Sequence, residues 1–129
     1  MRLLGIDYGT KRVGIALSDK SGSFAFPNCV LKNDENLFKN ISDICRREEV
    51  KKIILGQSLN YKGEVNPIMK DAELLKLDIE ETLHIPVEYE SEFLTSVEAE
   101  RIQGRGKMLD ASAAALILKS YIDKHNKTA

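Results

Sequence analysis

The chain has no tryptophan, two cysteines and three prolines among its 129 residues, and aromatic residues make up only 6% of it. The two cysteines, Cys29 and Cys45, are too few for a disulfide framework, and they show neither a CxxC motif nor Cys/His metal-ligand spacing. We expect both to be buried, inert thiols. No apolar run approaches the ~18 residues that a membrane span requires. These absences exclude a disulfide-rich protein, a Cys/His metal-binding protein and a membrane-spanning protein.

An excess of charge of one sign is also lacking. Nineteen basic and twenty acidic side chains give a formal net charge of −1, which excludes histone-like binding by bulk charge but leaves room for local basic patches. Apolar residues at 43% and charged residues at 30% are typical of a globular protein. The length predicts a single domain over residues 1–129. Because Asp7 interrupts the first apolar run, a signal peptide is not expected, and we predict a cytoplasmic protein.

The first third of the chain has the alternation of a small antiparallel sheet. Apolar runs at 3–6 and 13–17 flank a turn that contains Gly9, which predicts a β-hairpin. A third strand follows over 24–31, and Pro27 within it indicates an edge strand or a bulge.

The rest of the chain alternates between helices and strands. We predict helices over 37–45, from Pro67 to Leu83, over 95–104 and from Asp110 to about Asp123, and strands over 53–56 and 85–89. The order β-β-β-α-β-α-β-α, with two helices at the end, requires parallel pairing in the second half. It predicts an α/β fold with a five-stranded mixed sheet flanked by helices.

Three carboxylates stand where ligands usually gather in such sheets, near the carboxyl ends of the strands. Asp7 closes the first strand, Glu92 follows the fifth, and Asp110 opens the last helix. Taken singly, each has a structural explanation, as a turn former, a solvated loop residue or a helix N-cap. Together they would repel one another unless protonated or joined by cations, and Mg²⁺ is the natural counterion for such oxygen ligands. Two such ions about 3.5–4 Å apart are the usual arrangement for in-line displacement at phosphorus.

Four blocks of the sequence carry a family resemblance. They are Met1-Arg2-Leu3-Leu4-Gly5-Ile6-Asp7-Tyr8-Gly9-Thr10-Lys11-Arg12-Val13-Gly14-Ile15-Ala16, Ile53-Ile54-Leu55-Gly56-Gln57-Ser58-Leu59-Asn60-Tyr61-Lys62-Gly63, Glu92-Phe93-Leu94-Thr95-Ser96-Val97-Glu98-Ala99 and Asp110-Ala111-Ser112-Ala113-Ala114-Ala115-Leu116-Ile117-Leu118-Lys119-Ser120-Tyr121. In order and over essentially the whole chain, they resemble the YqgF family of pre-16S rRNA nucleases, which have a Holliday-junction-resolvase-like, RNase H-type fold. The first and last blocks are the specific ones.

The resemblance implies a function and a catalytic triad. The family's acidic residues fall on Asp7, Glu92 and Asp110, which would be both catalytic residues and ligands of Mg²⁺ or Mn²⁺. The implied activity is a metal-dependent phosphodiesterase that processes the 5′ end of pre-16S ribosomal RNA during ribosome biogenesis. RNA and a ribosome precursor are the implied partners.

Two positions depart from the family pattern. The family usually has Asp-Glu-Arg where this chain has Ser91-Glu92-Phe93, so an arginine that could hold a phosphate is absent. The central loop usually has a proline where Ser58 stands. Both departures concern how the substrate is bound, and neither changes the catalytic triad.

Basic and polar residues near these carboxylates are candidates for nucleic-acid contacts, because cations beside a metal site can bind the flanking phosphates. The candidates are Lys11 and Arg12 in the first hairpin, Asn60 in the central loop, and Arg101, Arg105 and Lys107 in the Gly-containing segment before Asp110. A solvated surface loop is the alternative interpretation of the last three.

Other functions stay open on the sequence alone. The segment Asp7-Tyr8-Gly9-Thr10 also resembles the phosphate hairpin of sugar kinases and actin-like ATPases, but those enzymes need two such domains. A non-catalytic RNA-binding or ribosome-assembly module, and a resolvase-like nuclease on branched DNA, are the remaining alternatives. The sequence alone does not determine whether the protein is a monomer or a dimer, or whether it prefers RNA or DNA. It also leaves open whether the protein is an endonuclease or an exonuclease, and whether it uses Mg²⁺ or Mn²⁺.

Overall fold

The computed structural model describes residues 1–58, 68–92 and 109–126. The elements, in chain order, are β1 (Arg2–Tyr8), β2 (Arg12–Ser18), β3 (Ala25–Lys32), α1 (Leu37–Arg47), β4 (Val50–Ser58), α2 (Met69–Leu83), β5 (Val87–Glu92) and α3 (Leu109–Asn126). The predicted helix over 95–104 and the predicted helix start at Pro67 lie outside the described residues.

All five strands join one sheet in the order β3-β2-β1-β4-β5. The pairs β1–β2 and β2–β3 are antiparallel, whereas β1–β4 and β4–β5 are parallel. The predicted five-stranded mixed sheet of an α/β fold is therefore confirmed, and strands β1, β4 and β5 lie side by side in it.

Proline shapes the outer edge of this sheet. β3 is an edge strand, and its register against β2 shifts between Ile15 and Ala16, whose partners are Cys29 and Pro27. Since proline has no N–H to donate to a ladder, it is tolerated at such a bulge. The predicted edge strand with a bulge is confirmed.

The helices cover both faces of the sheet. α1 and α2 pack on one face, in a core that includes Ile6, Ile53 and Leu55. Among the helices that the structure describes, α3 packs on the other face, and its apolar residues lie in one core cluster with Leu3 and Ile54. The alternation of side chains along β1 and β4 separates these two cores.

α3 comes unusually close to the middle of the sheet. A Cβ atom on Gly5 would lie 2.9 Å from the backbone oxygen of Ala114 and 3.0 Å from Cβ of Leu118. Only glycine leaves room for this approach without a shift of the helix. The small side chains of Ala111 and Ala114, which are fully buried, complete the close contact.

β5 extends farther than its predicted range of 85–89 and continues through Glu92. The sequence predicts that Glu92 follows this strand, and that boundary is wrong because Glu92 is the last residue of β5. Acidic residues are uncommon inside strands, but Glu88 and Glu90 each have a basic partner here, Lys52 and Lys124. These pairs allow the strand to continue.

The cysteines differ in burial. Cys45 is buried, as expected, and burial raises the pKa of its thiol to about 11. Cys29 on the edge strand is only half-buried, so the expectation of a buried thiol is wrong there. Among the helices described, none is long and apolar enough to cross a membrane.

Candidate active site at the carboxyl ends of the central strands

Asp7 lies near the carboxyl end of β1, the central strand of the sheet. Ile6 is paired with Leu55 of β4, so Asp7 is level with the next residue of β4, Gly56. Gly56 is paired in turn with Glu90 of β5. Neighbouring strands lie about 4.8 Å apart, which puts the backbones of Asp7 and Glu90 about 10 Å apart.

The face on which Asp7 lies follows from the alternation along β1. Ile6 belongs to the core under α1 and α2, whereas Gly5 lies directly beneath α3. Successive residues of a strand point to opposite faces. Asp7 therefore lies on the same face of the sheet as α3.

The direction of α3 brings its beginning to this end of the sheet. Ala114 contacts Gly5 in the middle of β1, and Ile122, two turns later, lines a small cavity with Leu3 near the start of β1. α3 thus runs antiparallel to β1. Asp110 is one turn before Ala114, about 6 Å closer to the carboxyl end of β1.

Glu92 completes the set of predicted carboxylates. It is the last residue of β5 and is paired with Ser58 of β4. It is two positions after Glu90, which contacts α3, so strand alternation puts position 92 on the α3 face as well. The backbone positions 7, 92 and 110 thus share one end and one face of the sheet.

The side chains of Glu92 and Asp110 lie outside what the structure describes, so the comparison of these three positions is one of backbone placement. Among the side chains that are described, no three His, Cys, Asp or Glu residues form a group that could hold a metal ion.

Glu90, a carboxylate that was not selected from the sequence, lies two residues before Glu92 on the same face of β5. Glu90 is only 5% exposed. Its Oε2 accepts a 2.6 Å hydrogen bond from Nζ of Lys124 and a 2.8 Å bond from Oγ of Ser120. These bonds tie β5 to α3. The alternating glutamates at positions 88, 90 and 92 were the signal that could have revealed an acidic strand face.

Glu88, two residues before Glu90 on β5, belongs to a second hydrogen-bond network. Nζ of Lys52 donates hydrogen bonds to Oε1 of Glu88 and to the Tyr121 hydroxyl, each 3.1 Å long. Contacts with Tyr121 and Lys52 lower the pKa of Glu88, and the same network raises the pKa of Lys52. Both groups stay charged near neutral pH, so Lys52 balances the charge of Glu88.

The first hairpin places two of the predicted nucleic-acid contacts near Asp7. Lys11 is exposed in the turn between β1 and β2, and Arg12 is exposed at the start of β2, a few residues beyond Asp7 along the chain. The other predicted contacts, Asn60, Arg101, Arg105 and Lys107, lie outside the described residues.

That turn is tight. A Cβ atom on Gly9 would lie 2.4 Å from the backbone oxygen of Arg12. Nδ2 of Asn33 donates a 2.8 Å hydrogen bond to the Gly9 carbonyl oxygen. Asn33, which follows the edge strand β3, was not singled out by the sequence analysis.

Comparison with known proteins places the chain in a family. The model of the RuvX family, described as Holliday junction resolvase, matches residues 1–124. A protein of Streptococcus uberis named "Putative pre-16S rRNA nuclease" is 34% identical, over 96% of this chain and 99% of its own. A protein of the same name from Syntrophomonas wolfei is 35% identical, over 95% of this chain and 94% of its own.

Solved structures share the fold. The structure of Thermus thermophilus RuvC in complex with a Holliday junction substrate has a TM-score of 0.63 at 17% identity, covering 98% of this chain and 97% of that one. The Fowlpox virus resolvase in complex with Holliday junction DNA has a TM-score of 0.62 at 14% identity, with 98% and 100% coverage. These likenesses confirm the RNase H-like α/β fold.

The family match covers nearly the whole chain, and the curated relatives do so as well. They confirm the resemblance to the YqgF family that the sequence motifs carried, and with it the prediction of a phosphodiester hydrolase that acts on nucleic acid. The chain belongs to the RuvX family, and it is a nuclease of the RNase H-like fold.

Proposed function

We propose that the protein is a metal-dependent phosphodiesterase that processes the 5′ end of pre-16S ribosomal RNA in the cytoplasm during ribosome biogenesis. Asp7, Glu92 and Asp110 are its catalytic carboxylates. One observation carries this proposal: β1, β5 and α3 bring these three positions to one end and one face of the sheet.

The donor set suits a hard divalent cation. Carboxylate oxygens are the ligands that Mg²⁺ and Mn²⁺ prefer, and three carboxylates at one site repel one another without a cation. Asp7, Glu92 and Asp110 are the residues that would hold such cations. Two ions bound there would activate a water and stabilise the leaving oxygen.

The chain's own residues supply binding and orientation. Lys11 in the turn beyond Asp7 and Arg12 at the start of β2 are exposed, and they bind phosphates that flank the scissile one. Asn60, Arg101, Arg105 and Lys107 extend this phosphate contact. The Glu90–Lys124 pair ties the last turn of α3 to β5.

The names of the curated relatives support the RNA substrate. This chain aligns with nearly the full length of those relatives. Branched DNA is the second candidate, because two structures of the same fold contain Holliday junction DNA. A domain of this size would need to dimerise to cut a four-way junction symmetrically.

A cleavage assay tests the proposal. End-labelled RNA with the 5′ precursor of small-subunit ribosomal RNA is incubated beside a four-way DNA junction, with Mg²⁺, Mn²⁺ or EDTA. Asp7→Asn is the test variant. Asp43→Asn, at a half-exposed position on α1, is the matched control, because it makes the same chemical change away from the site.

We expect metal-dependent RNA cleavage that Asp7→Asn lowers by at least about 10²-fold and that Asp43→Asn leaves intact. Cleavage of the junction in place of RNA would keep the triad and change the substrate. RNA binding without cleavage under any metal would refute the enzyme and favour a non-catalytic assembly module.

A further inference from the structure

Asn33, which lies outside the β1–β2 hairpin, binds the turn of that hairpin. Asn33 donates two hydrogen bonds to it, from Nδ2 to the Gly9 carbonyl oxygen at 2.8 Å and from the backbone N–H to the Lys11 carbonyl oxygen at 3.0 Å. We propose that Asn33 is a positioning residue, which keeps this turn in the conformation that presents Lys11 and Arg12 to a substrate phosphate. The proposal rests on the proposed function.

The turn depends on such a contact because of its own composition. Gly9 is needed where the backbone passes close to the Arg12 carbonyl group, and a Cβ atom there would lie 2.4 Å from that oxygen. Glycine also has the widest choice of backbone conformations, so a turn that contains it is not rigid by itself. The Asn33 amide limits that freedom by binding the Gly9 carbonyl group.

The position of Asn33 in the fold explains why it can do this. It follows directly after β3, and its backbone bond to Lys11 extends the β2–β3 ladder, in which Arg12 is paired with Lys32. The side chain is half-buried between β3 and the turn. Asn33 is therefore anchored by the sheet through its backbone and binds the turn through its side-chain amide.

The consequence is a selective effect on substrate binding. Lys11 and Arg12 are exposed and lie beyond Asp7, so they reach phosphates beside the reacting one rather than the reacting atoms. Loss of the Asn33 amide would let the turn sample other conformations and would weaken these phosphate contacts. Because Asp7 is fixed in the β1 ladder with Gly14, the chemical step would change little.

The chain offers a matched control for the test variant. Asn33→Asp keeps the shape and the backbone N–H but replaces the amide donor by a carboxylate, which repels the Gly9 carbonyl oxygen. Asn36→Asp makes the same change three residues later, at a position whose side chain makes no capping hydrogen bond to α1. Asn33→Ala separates the loss of the donor from the added charge.

The measurement is steady-state cleavage of the pre-16S RNA substrate, together with RNA binding by fluorescence anisotropy at several salt concentrations. We expect Asn33→Ala and Asn33→Asp to raise KM and Kd about 3- to 10-fold, the effect of one net hydrogen bond, with kcat within about twofold of wild type. Asn36→Asp should match wild type. The salt dependence of Kd should become shallower in the Asn33 variants, because phosphate contacts are lost.

A second set of variants distinguishes positioning from a purely structural role. In a background that carries Lys11→Ala and Arg12→Ala, Asn33→Ala should have no further effect on KM or Kd. The same rise in that background, or a fall in kcat at unchanged KM, would overturn the role of Asn33 while leaving the nuclease intact. A wild-type protein that neither binds nor cleaves the RNA would overturn the proposed function and this inference together.

Discussion

Substitution of Gly5 by alanine should disturb the candidate active site, although Gly5 is not one of the three candidate carboxylates. The new methyl group would lie 2.9 Å from the Ala114 backbone oxygen and 3.0 Å from Cβ of Leu118. Neither atom is the flexible end of a side chain, so α3 must move away from β1. A shift of ~0.5–1 Å restores ordinary contact distances of about 3.5–4 Å.

The magnitude follows from this displacement. Forcing a methyl group into a well-packed core costs about 1–3 kcal/mol. The same shift moves the start of α3, which carries Asp110, relative to Asp7 on β1. Since a misplacement of about 1 Å can cost ~10²-fold in rate, we expect cleavage to fall by ~10- to 100-fold.

The assay combines urea unfolding with single-turnover cleavage of the RNA at saturating metal. Ile53→Val is the matched control, because it lies on β4 but faces the core under α1 and α2, and it should cost about 0.5–1.5 kcal/mol. It should leave the cleavage rate close to wild type. Equal rates for Gly5→Ala and wild type, or an equal loss of rate in Ile53→Val, would refute the coupling between Gly5 and the site.

Three further predictions concern groups outside the triad. Lys124→Met removes the cation from the buried Glu90 carboxylate and should lower the free energy of unfolding by about 1–2 kcal/mol. This figure already includes a reduction for solvent screening, because Lys124 is half-exposed. An unchanged urea midpoint would contradict the prediction. Hydrogen bonds from the Ser21 hydroxyl and from backbone N–H groups lower the pKa of Asp19 from 3.8 to about 2, so its contribution to stability is complete above pH ~4 and is lost as the pH falls through 2. An NMR titration midpoint near 3.8 would contradict that cause. Burial raises the pKa of Cys45 from 9.0 to about 11, so its protonated thiol favours the folded state below pH 9, and this contribution is lost as the pH rises to 11. Iodoacetamide at pH 8 should modify the half-buried Cys29 before Cys45, and equal rates in the native protein would contradict the burial.

Local patterns were sufficient to predict most of the sheet. The apolar run at 53–56 predicts a buried parallel strand, and β4 is that strand. Pro27 predicts an edge or a bulge, and β3 shows both. These signals are read from neighbouring residues, and the chain order then leaves few ways to connect the strands.

The features that the sequence did not reveal depend on distant partners. Glu88 and Glu90 are typical of a loop until Lys52 and Lys124 are known to lie beside them, and those partners are 36 and 34 residues away. The need for glycine at position 5 arises only because α3 crosses there. For the same reason, the predicted strand stopped short of Glu92.

The three candidate carboxylates could be selected from the sequence, but their placement in the fold could not. Asp7 and Asp110 could be chosen because one ends an apolar run and the other precedes an Ala-rich helix. Their proximity depends on the antiparallel course of α3 over β1, which the contact between Ala114 and Gly5 reveals. The role of Asn33 depends on a pairing between β3 and the first hairpin that no local motif encodes.

Binding of a divalent cation by Asp7, Glu92 and Asp110 is tested most directly by titrating Mn²⁺ into the protein in a calorimeter. We expect wild type to bind and each of Asp7→Asn, Glu92→Gln and Asp110→Asn to lose at least about tenfold in affinity, since a neutral amide is a poorer ligand for a hard cation. Glu88→Gln, on the same face of β5 but paired with Lys52, should bind like wild type. No binding by wild type, or equal binding by all the variants, would contradict a metal-dependent site at this end of the sheet.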